Sequence, residues 1–359
     1  MKRITVPAFA VPLAALLFCG AARAQVFDQI FLKTGKVFRA GERLTVVSET
    51  YAEVKWETDR GIQGALPQSK IREIMWGDKP SEYRNGEIAR KRGKYNDAAK
   101  AYKKAVKSSV GRKWWIKPYS IYHLALCYRQ AGQTAAAKEQ YNRLITEYPK
   151  SKFYPNAHIA LGKIALAVKD FDEALKKFEV VKASPAFDPD LTRLAWLRSI
   201  ESLIGSKEYD NALIEANKLI PATETTHPDI ALEARLKRAL IKIFKDSRFD
   251  EGISEYRGLI IETIKRMESV PSRKEARLNR IVAQCYNGLG DAFLRHCKRR
   301  NRHKEALLEY LRVVTVLGEA VGQECAHALA GAAECFEAIG QKERAEALRK
   351  ELKQRFGNK

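Results

Sequence analysis

The sequence predicts a mainly α-helical solenoid of about seven helix hairpins, preceded by a small antiparallel β module. Three observations predict this fold class. A short leader opens the chain, a segment with a hydrophobic period near two follows it, and from residue 79 onward the period is 3.6 and one motif keeps returning. With 359 residues, 45% of them hydrophobic, the chain can form two or three units with buried cores, which excludes a disordered protein.

Residues 1–24 are predicted to be a signal peptide. Two cations open the leader, residues 4–19 are nearly all apolar, and residues 22–24 (Ala-Arg-Ala) have the small-x-small pattern that a signal peptidase recognises. The apolar run is shorter than the about 20 residues that a bilayer span needs. A lipid anchor at Cys19 is disfavoured, because the bulky Phe18 stands where that processing needs a small residue. We therefore expect an exported chain, periplasmic or associated with the cell envelope, with no transmembrane span once the signal is removed.

Residues 25–78 are predicted to form a small β module. Five short runs of alternating apolar residues are separated by turns such as residues 59–61, a pattern typical of an SH3-like or Sm-like antiparallel barrel. Basic and acidic side chains balance in this segment, so it contributes nothing to the charge excess. Trp56 and Trp76 fit core positions better than a ligand-stacking role, since large aromatic side chains dominate the cores of small modules.

Residues 79–356 are predicted to be a repeat array. A small anchor residue followed four positions later by an aromatic recurs, as in Ala98 with Tyr102 and Ala174 with Phe178. Five of the six intervals between anchors are 37 to 40 residues, and another mostly small residue precedes each anchor by twelve. Small side chains at both positions let two antiparallel helices approach closely, and the aromatic fills the space towards the next hairpin. The anchors stand near residues 98, 137, 174, 212, 252, 306 and 345.

These residues resemble the tetratricopeptide repeat family, and the best match is Leu161-Gly162 with Phe171, Ala174 and Phe178. The resemblance covers roughly residues 80–356 and implies a right-handed solenoid that binds protein or peptide partners along its concave face. The joint at residues 148–157 is similar to that of exported bacterial members, the outer-membrane assembly lipoproteins and the Tol–Pal accessory proteins. The chain departs from the family pattern in its period, which is near 38 rather than 34 residues.

The sequence contains no catalytic motif. A P-loop, a G-x-S-x-G elbow, an H-E-x-x-H helix and a Gly-rich dinucleotide turn are all missing. His296-Cys297 with His303 is the nearest approach to a metal cluster, but a further ligand at the required spacing is missing. Cys285 and Cys325 fall on neighbouring first helices, where they fit either one disulfide or two small buried hydrophobic residues. We predict a protein that is not an enzyme and holds no cofactor and no metal.

The concave face of such an array is lined by the first helix of each hairpin. The carboxylate clamp of chaperone-binding relatives cannot be mapped onto these helices, so a ligand held by its C-terminal carboxylate is not expected. The candidate partner groove consists of first-helix residues that packing does not need: Tyr83, Arg90, Tyr122, Arg129, Lys163, Arg198 and Lys237.

The net charge of +22 is concentrated in two stretches. Residues 79–118 hold thirteen basic and three acidic residues, and residues 295–304 hold six cations and no acid. An exported protein is not expected to bind nucleic acid, so the anions in question are lipid head groups and envelope polymers, towards which each cation near the surface contributes about 1 kcal/mol. The alternative is an ordinary solvated face. The candidate anion patch is Arg90, Lys91, Arg92, Lys94, Lys298, Arg299, Arg300 and Arg302.

Two functions follow from these patterns. The favoured one is a non-catalytic extracytoplasmic scaffold or adaptor that binds protein partners in cell-envelope assembly or maintenance. The alternative is an envelope-polymer or anionic-lipid binding protein that acts through the basic clusters. Salt should separate the two, because polyanion binding collapses at high ionic strength while a peptide held in a groove remains bound.

Overall fold

The computed structural model confirms the predicted fold class, since a helical repeat array follows a small antiparallel β region. The predicted signal peptide and the residue pair His296 and Cys297 lie outside the described residues. The structure describes residues 27–38, 43–108, 113–245, 248–269, 272–295, 302–318 and 320–357.

The β region contains six strands rather than the expected five, in two three-stranded antiparallel sheets with orders β2-β1-β6 and β3-β4-β5. Ile30 of β1 lies opposite Ile74 of β6, and both are buried. The carboxylate of Asp28 joins the two sheets, because it accepts hydrogen bonds from the backbone N–H groups of Val46 at 3.0 Å and Gly77 at 2.8 Å. The strands are β1 Gln29–Leu32, β2 Val37–Phe38, β3 Leu44–Glu49, β4 Glu53–Thr58, β5 Gln63–Pro67 and β6 Ile71–Met75.

Seven antiparallel helix hairpins follow, and each helix packs mainly on its neighbours along the chain. Odd-numbered helices are the first helices and even-numbered helices the second helices of the hairpins. The helices are α1 Ser81–Lys91, α2 Tyr95–Ser108, α3 Ile116–Gln130, α4 Thr134–Glu147, α5 Tyr154–Ala167, α6 Phe171–Lys182, α7 Pro189–Gly205, α8 Tyr209–Thr223, α9 Pro228–Phe244, α10 Phe249–Met267, α11 Ser272–Arg295, α12 His303–Arg312, α13 Gly322–Ala338 and α14 Lys342–Phe356.

Three of the hairpins close by contact between a glycine on the first helix and an aromatic ring on the second. A Cβ atom added at Gly86 would lie 2.8 Å from the ring of Tyr102, and one added at Gly162 would lie 2.6 Å from the ring of Phe178. Both rings are fully buried. The anchor residues are buried as well: Ala98, Ala137, Ala174, Ala212, Gly252, Ala306 and Ala345.

The turn inside five of the hairpins has the same backbone geometry. A residue with positive φ stands five positions before the anchor, which reverses the chain direction after the first helix. Three of these residues are glycines, and two are exposed lysines with φ values of 60° and 66°. The residues are Gly93, Gly132, Lys169, Lys207 and Gly340.

The β region shares its hydrophobic core with the first hairpins. Trp76 stacks on Trp115 at the start of α3 with ring centroids 4.6 Å apart, and both rings are buried. The pair Trp114-Trp115 therefore joins the β region to the array. The carboxylate of Glu49, at the end of β3, pairs with Lys152 at 2.9 Å and accepts a hydrogen bond from the Tyr119 hydroxyl at 2.7 Å.

A second set of contacts joins the β region to the start of α7. Lys33, in the turn after β1, pairs with Asp188 at 2.8 Å and with Asp190 at 2.7 Å. The ring of Tyr51, between β3 and β4, packs edge-on against Phe187 with centroids 4.9 Å apart. The partners of the β region, Trp115, Lys152 and Asp188, stand at the starts of α3, α5 and α7. The β region therefore lies along one edge of the second, third and fourth hairpins.

Cys285 and Cys325, on neighbouring first helices, form no disulfide with each other. Cys285 and Cys325 are buried free thiols, so the alternative of a disulfide between them is wrong. Burial raises the pKa of both thiols, which keeps them protonated and unreactive. Both residues act as the small buried hydrophobic side chains that the second interpretation expected.

Candidate partner groove

The first helices form one face of the array, and two cavities mark a groove along this face from α7 to α13. A cavity of about 510 Å³ opens between α7, α9 and α11, and a second of about 290 Å³ opens between α9, α11 and α13. The two cavities share Leu236, Lys237 and Gln284, so they form one channel along the inner face. Neighbouring first helices are also in direct contact, as α5 with α7 and α7 with α9.

In the distal part of the groove, from α7 to α13, positive and negative side chains are paired. Glu201 of α7 accepts from Arg198 at 2.6 Å and lies 3.5 Å from Lys237 of α9. Burial opposes ionisation of Glu201, but these two cations hold its pKa below the usual value. Arg277 of α11 pairs with Asp229 at 3.0 Å and with Glu233 at 2.7 Å. This part of the groove is therefore close to neutral and its side chains are held in place.

In the proximal part, from α1 to α5, the cations have no acidic partner. Arg90, Arg129 and Lys163 are all half-buried, and among the described residues no carboxylate forms an ion pair with any of them. Burial lowers the pKa of Lys163, and the charges of Arg198 and Arg129 lower it further, against the opposing effect of two glutamates. The proximal groove therefore carries uncompensated positive charge.

Two of the predicted groove residues line the larger cavity, and another is a core residue. Tyr83 is only 1% exposed, because its ring packs against Tyr102 and Trp115, so it is a core residue that no partner can reach. Tyr122 is half-buried and stacks on Phe153 with centroids 4.1 Å apart. Arg198 and Lys237 line the larger cavity.

Sequence reasoning missed the acidic half of the groove. Glu201 and Glu233 line the larger cavity together with Arg277 and Arg280 of the following first helix. A periodic signal was present for Glu201, which precedes its anchor by eleven residues as Lys163 precedes its own. The same repeat position thus carries a cation in the third hairpin and an acid in the fourth.

The candidate anion patch is not one surface. Lys91, Arg92 and Lys94 are exposed at the turn between α1 and α2, while Arg90 is half-buried beside Cys127. In the sixth hairpin, Arg302 pairs with Glu305 at 2.9 Å and lies over an aromatic ring, so it is not a free cation. Lys298, Arg299 and Arg300 lie outside the described residues. The described members of the candidate patch thus lie on the first and the sixth hairpin, with four hairpins between them.

Clusters of titratable side chains bear on metal binding, and the length and hydropathy of a helix bear on spanning a membrane. Within the described ranges, no group of three or more His, Cys, Asp and Glu residues could hold a metal ion. A polar cluster at the distal end joins Asp291 to the Tyr310 hydroxyl at 2.6 Å and to His327 at 2.8 Å, and this carboxylate raises the pKa of His327. Of the helices in the described part of the chain, none combines the length and the hydropathy that a membrane span requires.

Comparison with known proteins agrees with this geometry. Residues 119–151, which include most of α3 and all of α4, match the tetratricopeptide repeat family. A tetratricopeptide repeat protein from Parabacteroides merdae is similar in structure, with a TM-score of 0.57 at 15% identity over 77% of this chain and 93% of that one. No curated protein sequence matches the chain.

Two further solved structures share the fold. The quorum sensor NprR from B. thuringiensis gives a TM-score of 0.55 at 14% identity, over 76% of this chain and 74% of that one. Aspartyl phosphate phosphatase F from Bacillus subtilis gives 0.50 at 15% identity, over 76% and 68%. Identities this low show a common architecture and no common function. The chain thus contains a segment that matches the tetratricopeptide repeat family, and its helical array has the fold of tetratricopeptide repeat proteins.

Proposed function

We propose that this protein is a non-catalytic scaffold that binds a protein or peptide partner in its inner groove, in cell-envelope assembly or maintenance. The observation that carries the proposal is the groove itself, a channel along successive first helices whose lining side chains are charged and fixed by ion pairs. Side chains fixed before binding lose little conformational freedom when a partner arrives, which favours recognition. The predicted signal peptide and the resemblance to exported repeat proteins support the envelope as the place of action.

A pull-down from envelope extract tests the groove with two matched variants. Gln284→Trp places an indole where the two cavities meet, and Lys104→Trp places the same side chain on the exposed outer face of α2. We expect Gln284→Trp to reduce the captured partner at least about tenfold, which corresponds to 1.4 kcal/mol. Lys104→Trp should capture as much as the parent. Equal capture by both variants, at equal melting temperature, would refute a groove-bound partner.

A second candidate function is binding to an anionic envelope polymer or lipid surface. The observation that favours it is a set of exposed cations at the α1–α2 turn and along α2, none of which forms an ion pair with a described residue. Sedimentation with anionic vesicles tests it, and binding should fall steeply between about 0.05 M and about 0.5 M salt. A variant with Lys91, Arg92 and Lys94 changed to Glu should lose this binding. The set is Lys91, Arg92, Lys94, Lys100, Lys103, Lys104 and Lys107.

A further inference from the structure

The proximal groove contains half-buried cations without an ion pair in the described part of the chain, which binding of an arbitrary partner does not explain. Arg129 of α3 and Lys163 of α5 are half-buried cations without an ion-pair partner among the described residues. Taking a charge partly out of water costs free energy unless an opposite charge compensates it. Elsewhere in the same groove the chain supplies that compensation itself, as Glu201 does for Arg198 and Lys237. Glu201 and Glu233 act on Lys163 without forming an ion pair with it, so a carboxylate from a partner would supply the contact that Arg129 and Lys163 lack among the described residues.

We infer that the partner is an acidic peptide segment, whose carboxylates lie in the proximal groove against Arg129 and Lys163 and extend towards Arg198. This inference rests on the proposed function and specifies the chemistry of its partner. Helix α5, which carries Lys163, contacts α7, which carries Arg198, and the charges of Arg129 and Arg198 both act on the Lys163 ammonium. The three residues belong to three successive first helices, α3, α5 and α7.

The arrangement fits an extended chain better than a flat surface. Packed helices lie about 8–10 Å apart, so cations on successive first helices repeat at about that distance. A polyproline II segment rises about 3.1 Å per residue with three residues per turn, so every third side chain returns to the same face after roughly 9 Å. Acidic residues at every third position would therefore face the cations of the groove. A flat membrane surface, in contrast, would meet exposed cations such as Lys91 and Lys94, whereas Lys163 is half-buried.

The test uses a fluorescein-labelled peptide of four Glu-Pro-Ala triplets and the same peptide with Gln in place of Glu. We expect the parent protein to bind the Glu peptide at least about tenfold more tightly than the Gln peptide, by fluorescence anisotropy. The groove variant Arg129→Gln/Lys163→Met should lose that preference. An outer-face variant with the same loss of charge on second helices α4 and α6, Lys138→Gln/Lys176→Met, should keep it, and Lys163→Arg should retain most of the affinity.

Each of the other results would overturn the inference. One is equal binding of the Glu and Gln peptides, and another is an equal loss of Glu-peptide preference in the groove and outer-face variants. The third is binding of the protein to anionic phosphatidylglycerol vesicles with no binding of the peptide. Melting temperatures of all variants check that the fold is intact. If the Glu peptide does not bind while Gln284→Trp still abolishes capture from extract, the inference fails and the proposed function stands. If both experiments fail, the groove is not the binding site.

Discussion

At the scale of single residues, the distance between two packed helices is set by an aromatic ring on one and a glycine on the other. Gly162 on α5 lies directly over the ring of Phe178 on α6, and the ring has no free space around it because it is fully buried. In a close-packed interior, neither the ring nor the helix backbone can move without disturbing its neighbours. The spacing in the sequence predicted the small residue and the aromatic, although it could not show that they touch within one hairpin.

The substitution Gly162→Ala should therefore destabilise the protein, although alanine is the better helix former. The added Cβ would lie 2.6 Å from the ring carbons of Phe178, and we expect overpacking to cost about 1–3 kcal/mol. The matched control is Gly258→Ala on α10, where nothing lies within 4 Å of the added atom. That change should stabilise by about 0.5–1 kcal/mol through the backbone entropy of glycine. Urea unfolding midpoints followed by circular dichroism compare the two, and shifts of the same sign would contradict the contact.

At the scale of elements, the β region and the array are held together by a buried polar contact. The side chain of Glu49 is only 1% exposed and meets Lys152, which precedes α5, and Tyr119 of α3. One strand end thereby fixes the positions of two hairpins. The β region is thus part of the array's core and not a separate module on a linker.

Removing the charge of Glu49 should loosen this junction. In Glu49→Gln the ammonium of Lys152, which is 16% exposed, keeps its burial and loses its counter-ion, so we expect a loss of about 3–5 kcal/mol. The double variant Glu49→Leu/Lys152→Met should recover much of that loss, because it leaves no buried charge unpaired. Limited proteolysis between β3 and β4 measures the effect. A single variant as resistant as the parent would show that the pair does not hold the junction.

The sequence predicts elements better than it predicts how distant elements meet. Hairpins were predictable because their closing contacts join residues such as Gly162 and Phe178, only sixteen positions apart, which is a local pattern. The contact of Glu49 with Lys152 joins residues about a hundred positions apart and has no periodic signature. For the groove, periodicity identified the first-helix face, but Tyr83 shows that it could not distinguish a side chain facing the groove from one facing the core. Acidic partners such as Glu233 were missed because pairing depends on side-chain direction.

At the scale of the whole molecule, the buried residues fall into separate clusters along the array. One large cluster joins the β region to α1–α5, and another joins α9–α14. Smaller clusters lie between them. In a repeat protein each hairpin is stabilised by its immediate neighbours, so stability is a sum of local terms and can fail locally.

This division predicts that damage at one end leaves the other end folded. Tyr310 on α12 is 1% exposed and lies between Gly290 of α11 and Gly331 of α13, so Tyr310→Ala should remove the packing that joins three helices. We expect hydrogen exchange, followed by mass spectrometry, to show lost protection across α11–α14 and unchanged protection across α1–α5. Trp115→Ala, at the junction with the β region, should give the reverse pattern. Loss of protection along the entire chain in either variant would instead show a single cooperative unit, in which a partner bound in the proximal groove would also stabilise the last hairpin.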